Sequence, residues 1–482
     1  MGFSEKNNLF NKNCLKMDRS ELLQLLNKQK AAFRKDPPSF EKRMESLKNL
    51  SDIVKENKSL LIRAINKDFG GRAEEETRLL EILPLQDQIR HSMRHLKNWM
   101  KPRSVKSSWF LIPAKAFYQY QPLGSVGIMG AWNYQILLTL GPLIDAIAAG
   151  NHAIIKPSEM APASAEVIRK MINSAFPEEY IHCVTGDAEM AKGFSSLPFD
   201  HLFFTGSSNI GKKIMAAAAP NLTPVTLELG GKSPAVIHPS YPLKVALQRI
   251  INGKLFNGGQ TCVAPDYIIA PDSLNDEIEN TAKSIVNTLY PDLKKEGKFT
   301  SIINEKHFQR LKSLLEDAKN KGARIVEISG NDEHKLLTPK LLFNVNDEMK
   351  VMQEEIFGPI LPVLNLETVE EAINYINDHH KPLALYYFDN NSKRIKHLLK
   401  FTQSGGVTVN DTIYHLAQHR LPFGGVGNSG MGHYHGFDGF KTFSKKRAVM
   451  EQGRLAASDF LQPPYTGFKQ KLLGWVEKFS KV

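Results

Sequence analysis

Phe203-Phe204-Thr205-Gly206-Ser207-Ser208-Asn209-Ile210-Gly211-Lys212 reads as the end of a strand, a glycine turn and the start of a helix. Backbone N–H groups at such a helix start can face a phosphate. The stretch is not a full G-x-G-x-x-G, so on spacing alone it is a weak fingerprint. Its neighbours give it weight. Val126-Gly127-Ile128-Met129, Ala153-Ile154-Ile155, Ile181-His182-Cys183-Val184, His201-Leu202-Phe203-Phe204 and Pro224-Val225-Thr226-Leu227 are short apolar runs between helical segments. Runs of this kind suit parallel strands buried on both faces. Strands alternating with helices predict an α/β, doubly wound parallel sheet. Such sheets bind ligands outside the carboxyl ends of their strands. Asn133, Lys156, Gly206 and Glu228 all follow these strand ends.

Two stretches nearby carry chemistry. Leu227-Glu228-Leu229-Gly230-Gly231-Lys232-Ser233-Pro234 places a carboxylate beside a glycine pair. Gly258-Gly259-Gln260-Thr261-Cys262-Val263-Ala264-Pro265-Asp266-Tyr267 places a cysteine on a loop after another. A thiolate attacks carbonyl carbon well, and a carboxylate can draw a proton from water. A lone cysteine among apolar neighbours is most often a core thiol. A lone glutamate before Gly-Gly is most often a turn or surface residue. A third stretch shifts that balance: the run Pro122 to Gly130 ends in Ala131-Trp132-Asn133-Tyr134. An Asn amide at a strand end can donate to a developing oxyanion, although its usual place is a turn.

At this point the chain resembles the aldehyde dehydrogenase family, class 3 (fatty and aromatic aldehydes) above all. The resemblance runs from about Asp18 to about Met450. It is carried by Trp132-Asn133-Tyr134, Ala149-Gly150-Asn151, Lys156-Pro157-Ser158-Glu159, Phe204-Thr205-Gly206-Ser207 and Leu227-Glu228-Leu229-Gly230-Gly231-Lys232. It continues through Gly259-Gln260-Thr261-Cys262, Glu354-Glu355-Ile356-Phe357-Gly358-Pro359 and Pro422-Phe423-Gly424-Gly425-Val426-Gly427-Asn428-Ser429-Gly430. The class 3 flavour lies in Cys262 to Tyr267, in Gly427 to Gly432 and in a short N-terminal lead.

The resemblance implies an NAD(P)-dependent oxidation of aldehydes to carboxylic acids through a thioester. Cys262 is then the nucleophile, Asn133 an oxyanion donor, and Glu228 the base that activates water, expected to stay ionised near neutral pH unless strongly perturbed. Trp132, Lys156, Glu159, Gly206, Ser207, Leu229, Glu355 and Phe357 are the implied cofactor contacts. Glu159 near the ribose 2′ position favours NAD, with NADP left open. Tyr134, Ile413 and His415 are expected at the mouth of an aromatic and apolar substrate pocket, with His415 also readable as a solvated loop residue. One position departs from the family: Gln135 stands where Pro is usual, so φ is not locked there. Gln135 is expected either to loosen the loop that aims Asn133 or to touch substrate. A same-fold reductase acting on acyl-CoA or acyl phosphate needs no water-activating base, and Glu228 argues against it. A non-catalytic protein on this fold is argued against by Cys262, Glu228 and Asn133 together.

The layout follows. With 482 residues, two large domains are expected. Residues 18–100 and 122–230 are expected to form the NAD(P)-binding domain, and 231–434 the catalytic domain. The resemblance also implies a small bridging element, residues 101–121 and 435–460, that pairs subunits into a homodimer. Residues 18–100 read as helices, with apolar stripes at Leu22-Leu23, Leu25-Leu26 and at Leu79, Leu80 and Leu83. The lead, residues 1–17, lacks the apolar core of a signal peptide. No run of 18 apolar residues occurs. Three cysteines, Cys14, Cys183 and Cys262, are too few and scattered for a disulfide framework or a zinc site, so no metal is expected. A reducing, cytoplasmic compartment fits them best. The net charge of +12 is dispersed and carries no nucleic-acid motif, so no nucleic-acid partner is expected. In the tail, residues 461–482, Phe468, Leu472, Trp475, Val476 and Phe479 fall at helical spacing among Lys469, Lys471, Lys478 and Lys481. Such a basic amphipathic helix suits peripheral contact with an anionic membrane; packing on its own dimer, or over the substrate mouth, is the plainer reading.

Overall fold

The structure, a computed structural model, describes residues 17–108, 111–295, 297–454, 456, 458–459 and 462–479. The N-terminal lead, with Cys14, lies outside the described residues except for Met17, and so do Leu461 and residues 480–482 of the tail.

The five apolar runs of the first half form one sheet. Its strands lie in the order Gly430–Met431, Val225–Glu228, His201–Thr205, Ser125–Met129, His152–Lys156 and Ile181–Cys183. All neighbours are parallel except Gly430–Met431, which pairs antiparallel to Val225–Glu228. Alternation along each strand divides the apolar side chains between two faces. Val126, Ile128, Ile155 and Phe203 pack with Leu47, Leu61 and Leu85 from the N-terminal helices. Met129, Ile154, Leu202, Phe204 and Leu227 pack with Leu22, Leu25 and Leu26. The first helix, Arg19–Lys35, starts on a capping box in which Asp18 and Glu21 satisfy each other's backbone N–H.

A second sheet runs Arg324–Glu327, Lys340–Phe343, Ile360–Asn365, Tyr267–Ala270, Pro234–Ile237, Ala384–Phe388 and Gly406–Val409, parallel except at its first strand. Only Leu229 to Ser233 separate the last strand of the first sheet from Pro234–Ile237. The segment expected to form one catalytic unit, 231–434, does not stay with this sheet. Gly430–Met431 returns to the edge of the first sheet, with Gly430 opposite Glu228. Gly430, at φ +145°, makes that return possible, because a Cβ there would overlap the Leu227 carbonyl. A third, antiparallel sheet joins Arg103–Val105, Lys115–Pro122 and Ser444–Glu451.

The stripe expected at Leu79, Leu80 and Leu83 needs correction. Arg78–Ile82 is a π-helical turn between the helices Glu74–Thr77 and Leu83–Trp99. The wider turn shifts the phase, so Leu79 and Leu83 are 53% and 55% exposed while Glu81 is fully buried. The tail forms the helix Gly467–Phe479, with Phe468 and Trp475 71% and 60% exposed. Among the described residues no helix is long and apolar enough to cross a membrane.

Candidate active site

A cavity of about 680 Å3 opens at the carboxyl edge of the first sheet, facing loops of the second. Trp132 and Asn133, Lys156, Gly206 and Ser207, and Glu228 with Leu229 reach it from four successive strand ends. Cys262, Glu355 and Phe357 reach it from the other side. Residues more than 200 positions apart in the chain are thereby gathered at the place the topology favours for ligands.

The Cys262 loop is held in an uncommon backbone path. Asn257, Gly258 and Gly259 have φ of 56°, 60° and 77°. A Cβ on Gly259 would overlap the carbonyl of Gly358, so a side chain is excluded as well as strained there. Asn257 is tied down by its amide, which donates to Asn133 O at 2.9 Å and Gln260 O at 3.2 Å. The Asn133 amide donates to the same Gln260 oxygen at 3.1 Å. That bond uses one of its two N–H groups and leaves the other for an acceptor. Tyr386 O–H donates to Val263 O beneath the cysteine. Cys262 is half-buried, and both Cys262 and Cys183 are free thiols. Desolvation pushes the Cys262 thiol up to about 12, with the charges of Glu355 and Glu228 adding to the rise and loop N–H groups opposing it. The resting group near neutral pH is therefore the thiol.

Glu228 is strongly perturbed by its surroundings. It is buried, and neither carboxylate oxygen has a hydrogen-bond partner. Burial raises its pKa well above the usual carboxylate range, which disfavours its ionised form. Among the described residues no cation offsets that cost, and desolvation alone causes the rise. Glu355 behaves similarly: burial, then the Asp266 charge, pushes it up to about 8, while the Gly231 N–H, Lys232 and Arg310 oppose the rise. Gly230 makes room for this carboxyl, which a Cβ there would overlap.

The remaining cofactor candidates line the same cavity. Lys156, buried, is 3.0 Å from the partly exposed Glu159. Ser207 is the N-cap of the helix Ser208–Ala218 but makes no side-chain cap bond, so the first N–H groups of that helix are not capped by it. Phe357, at φ 55°, sets its ring 5.3 Å from Trp132. Asp266 and Lys232 stand in the quoted motifs without a chemical signal that marks their role. Asp266 accepts from Lys232 Nζ at 2.5 Å and from Ile356 N at 3.1 Å, tying the cysteine loop to the Glu355–Phe357 loop. Phe423 and Tyr434, rings 5.7 Å apart, wall the cavity and also went unassigned.

Three residues expected at a pocket mouth do not line this cavity. Tyr134 is buried, with its hydroxyl 2.5 Å from Thr261 Oγ1 and Arg72 5.2 Å over its ring. Ile413 is buried at φ 50°. His415 is half-buried rather than a solvated loop residue, with Nδ1 2.9 Å from Thr408 Oγ1. Gln135, the departure from the family pattern, is the first residue of the buried helix Gln135–Ala149. Its own amide is buried without a partner and does not line the cavity.

A soft nucleophile, an amide donor and a carboxyl beside a cavity of dinucleotide-binding topology define an oxidoreductase that works through a covalent acyl intermediate. Comparison with known proteins makes this specific. Residues 13–449 match the aldehyde dehydrogenase family. The chain is 46% identical over 455 residues to a probable coniferyl aldehyde dehydrogenase of Pseudomonas aeruginosa, covering 94% of this chain and 96% of that one. It is 43% identical over 413 residues to aldehyde dehydrogenase family 3 member A2 of Rattus norvegicus, covering 85% and 84%. The substrate-bound structure of Staphylococcus aureus AldH superposes with a TM-score of 0.90 at 39% identity, covering 94% of this chain and 99% of that one. The chain belongs to the aldehyde dehydrogenase family. It is an NAD(P)-linked oxidoreductase acting on aldehydes, and a family member from Mycobacterium tuberculosis, 25% identical with a TM-score of 0.81 over 90% of each chain, holds NAD+.

Proposed function

We propose that Cys262, Asn133 and Glu228 carry the oxidation of aromatic and medium- to long-chain aliphatic aldehydes. The observation behind this reading is their convergence on one cavity from three separate loops. Cys262 gives up its thiol proton to solvent, the thiolate Sγ bonds to the aldehyde carbon, and the carbonyl oxygen becomes an oxyanion beside the second Asn133 N–H and the Cys262 backbone N–H. The nicotinamide of NAD(P), when bound, supplies the hydride acceptor that no side chain can provide. The acyl group remains as a thioester on Sγ. Ionised Glu228 then takes a proton from water as the water attacks that thioester, and the proton passes to the departing Sγ, releasing acid and thiol.

The residues present fit the dinucleotide. Lys156 and Glu159 would hold the adenosine ribose, and Gly206, Ser207 and Leu229 would flank the pyrophosphate. Glu355, Phe357 and Trp132 would hold the nicotinamide ribose and ring. Glu159 favours NAD over NADP by repelling a 2′-phosphate. The Phe423 and Tyr434 walls and the coniferyl aldehyde relatives support aromatic aldehydes as substrates, and the class 3 resemblance adds aliphatic ones. NADH and NADPH formation across a panel of aromatic and C6–C16 aldehydes checks this, with aromatic and longer aldehydes expected to give the higher kcat/KM. No turnover of any of them under reducing conditions would overturn the reading.

The protein acts as a homodimer in a reducing, cytoplasmic compartment. The exposed outer strand Ser444–Glu451 of the three-stranded sheet offers an edge for a second copy. Phe468 and Trp475, exposed among Lys469, Lys471 and Lys478, suit peripheral contact with an anionic bilayer. Light scattering of the full chain against one ending at Gln462 tests both. A dimer mass is expected for both proteins and binding to anionic vesicles only for the full chain. A monomer, or equal vesicle behaviour, removes the corresponding statement.

A further inference from the structure

We infer that the buried Arg72–Glu81 ion pair is a positioning device for Asn133, an inference that rests on Asn133 being the oxyanion donor. Glu81 comes from the π-helical turn Arg78–Ile82, and that turn points a carboxylate into the protein at the cost of exposing Leu79 and Leu83. Arg72 NH1 donates to Glu81 Oε1 at 2.7 Å, and both side chains are fully enclosed. The other carboxylate oxygen, Glu81 Oε2, accepts from Ile136 N at 2.7 Å and Leu137 N at 3.4 Å. These are the second and third N–H groups of the helix Gln135–Ala149, which begins two residues after Asn133 and whose N-cap, Tyr134, makes no side-chain cap bond. Glu81 therefore caps in place of a local N-cap.

Arg72 grips the other side. Its guanidinium lies over the rings of Phe69 and Tyr134, at 5.4 and 5.2 Å. Its Nε is 3.7 Å from Glu76 Oε2. Glu76 Oε1 in turn accepts from Asn257 N at 2.7 Å, and Asn257 holds the Asn133 carbonyl. The segment 72–81 thus fixes Tyr134, the helix start behind it and, through Asn257, Asn133 itself. Where a proline at position 135 would lock φ by covalent geometry, Gln135 leaves φ free, and these remote contacts hold the loop instead. Stability alone does not account for the pair, since a well-packed apolar pair often serves as well as a buried ion pair.

The test is single-turnover NADH formation at saturating NAD and aldehyde, with NAD affinity and thermal unfolding measured alongside. The double variant Arg72→Met/Glu81→Leu and the isosteric Glu81→Gln are compared with Asn133→Ala. The double variant is expected to fold, to keep NAD affinity within about twofold, and to slow hydride transfer roughly ten- to a hundredfold, the scale of misplacing a reacting group. Combining it with Asn133→Ala should add much less than the product of the separate losses, the signature of coupled sites. Should the double variant not fold, Glu81→Gln carries the same comparison, with a smaller loss expected. A wild-type hydride-transfer rate in the variants, or losses that simply multiply, overturns the inference and leaves the pair structural. If Asn133→Ala itself leaves hydride transfer unchanged, the oxyanion reading falls first, and the inference with it.

Discussion

Cys262→Ala is expected to show no aldehyde-dependent NADH formation above background while still binding NAD. Replacing a covalent nucleophile removes the acyl intermediate altogether, a loss on the order of 10^4-fold or more. The loop should survive the change. Its path is set by Asn257, Gly258, Gly259 and the Gln260 carbonyl, and none of these bonds uses the sulfur. Near-wild-type NAD affinity and unfolding temperature are therefore expected alongside lost turnover. Cys262→Ser separates charge from shape: a serine hydroxyl occupies nearly the same space but ionises far less readily, so it should also be inactive. Measurable steady-state turnover by Cys262→Ala would move the nucleophile elsewhere, and buried Cys183 offers no access to the cavity.

Why these residues could be picked out in the chain, and others not, follows from how far each depends on distant neighbours. The strands of the first sheet were readable because each is a short apolar run with buried faces, a local property of four or five residues. Cys262 and Glu228 stand out because glycines beside them announce a close backbone approach, and at Gly230 and Gly259 the structure shows which groups come close: the Glu355 carboxyl and the Gly358 carbonyl. The raised pKa of Glu228 was not readable. It comes from burial, with no hydrogen-bond donor to its carboxyl among the described residues, and that surrounding is assembled from several segments. Arg72 and Glu81 were hidden for a different reason. A helical period of 3.6 puts Leu79 and Leu83 inside, and the π turn, which shifts the phase, puts Glu81 there instead. Nothing in Arg78-Leu79-Leu80-Glu81-Ile82 signals that shift, and the N–H groups that Glu81 meets there lie on the helix Gln135–Ala149, more than fifty residues away. Gln135 belongs between these cases. Its departure from Pro was visible, and its consequence became visible only once the capping role of Glu81 was.

Glu228→Gln should release a single equivalent of NADH per site and then stall. Gln keeps the size of the side chain but cannot take a proton from water, so thioester formation proceeds and its hydrolysis does not. A burst followed by a steady rate lowered on the order of 10^2- to 10^4-fold is expected, with the acyl adduct on Cys262 seen by intact mass measurement. Normal steady turnover would remove Glu228 from deacylation. The pH dependence follows from its burial. A carboxyl raised above its ordinary value is the active base only in its ionised form, so wild-type deacylation should rise with pH through that raised value. The burst of Glu228→Gln should retain only the rise due to the Cys262 thiol, which burial holds above the usual thiol range. Stability should move the opposite way. The folded state holds the Glu228 proton more tightly than the unfolded chain, whose carboxyl titrates near about 4.3. The stability this group contributes is therefore complete below that value and is lost as pH rises through the folded one. Glu228→Gln has no such loss, so its unfolding temperature should gain on the wild type between pH 5 and 9. A gap that stays constant over this range would place the cost of burying the carboxyl outside the ionisation of Glu228.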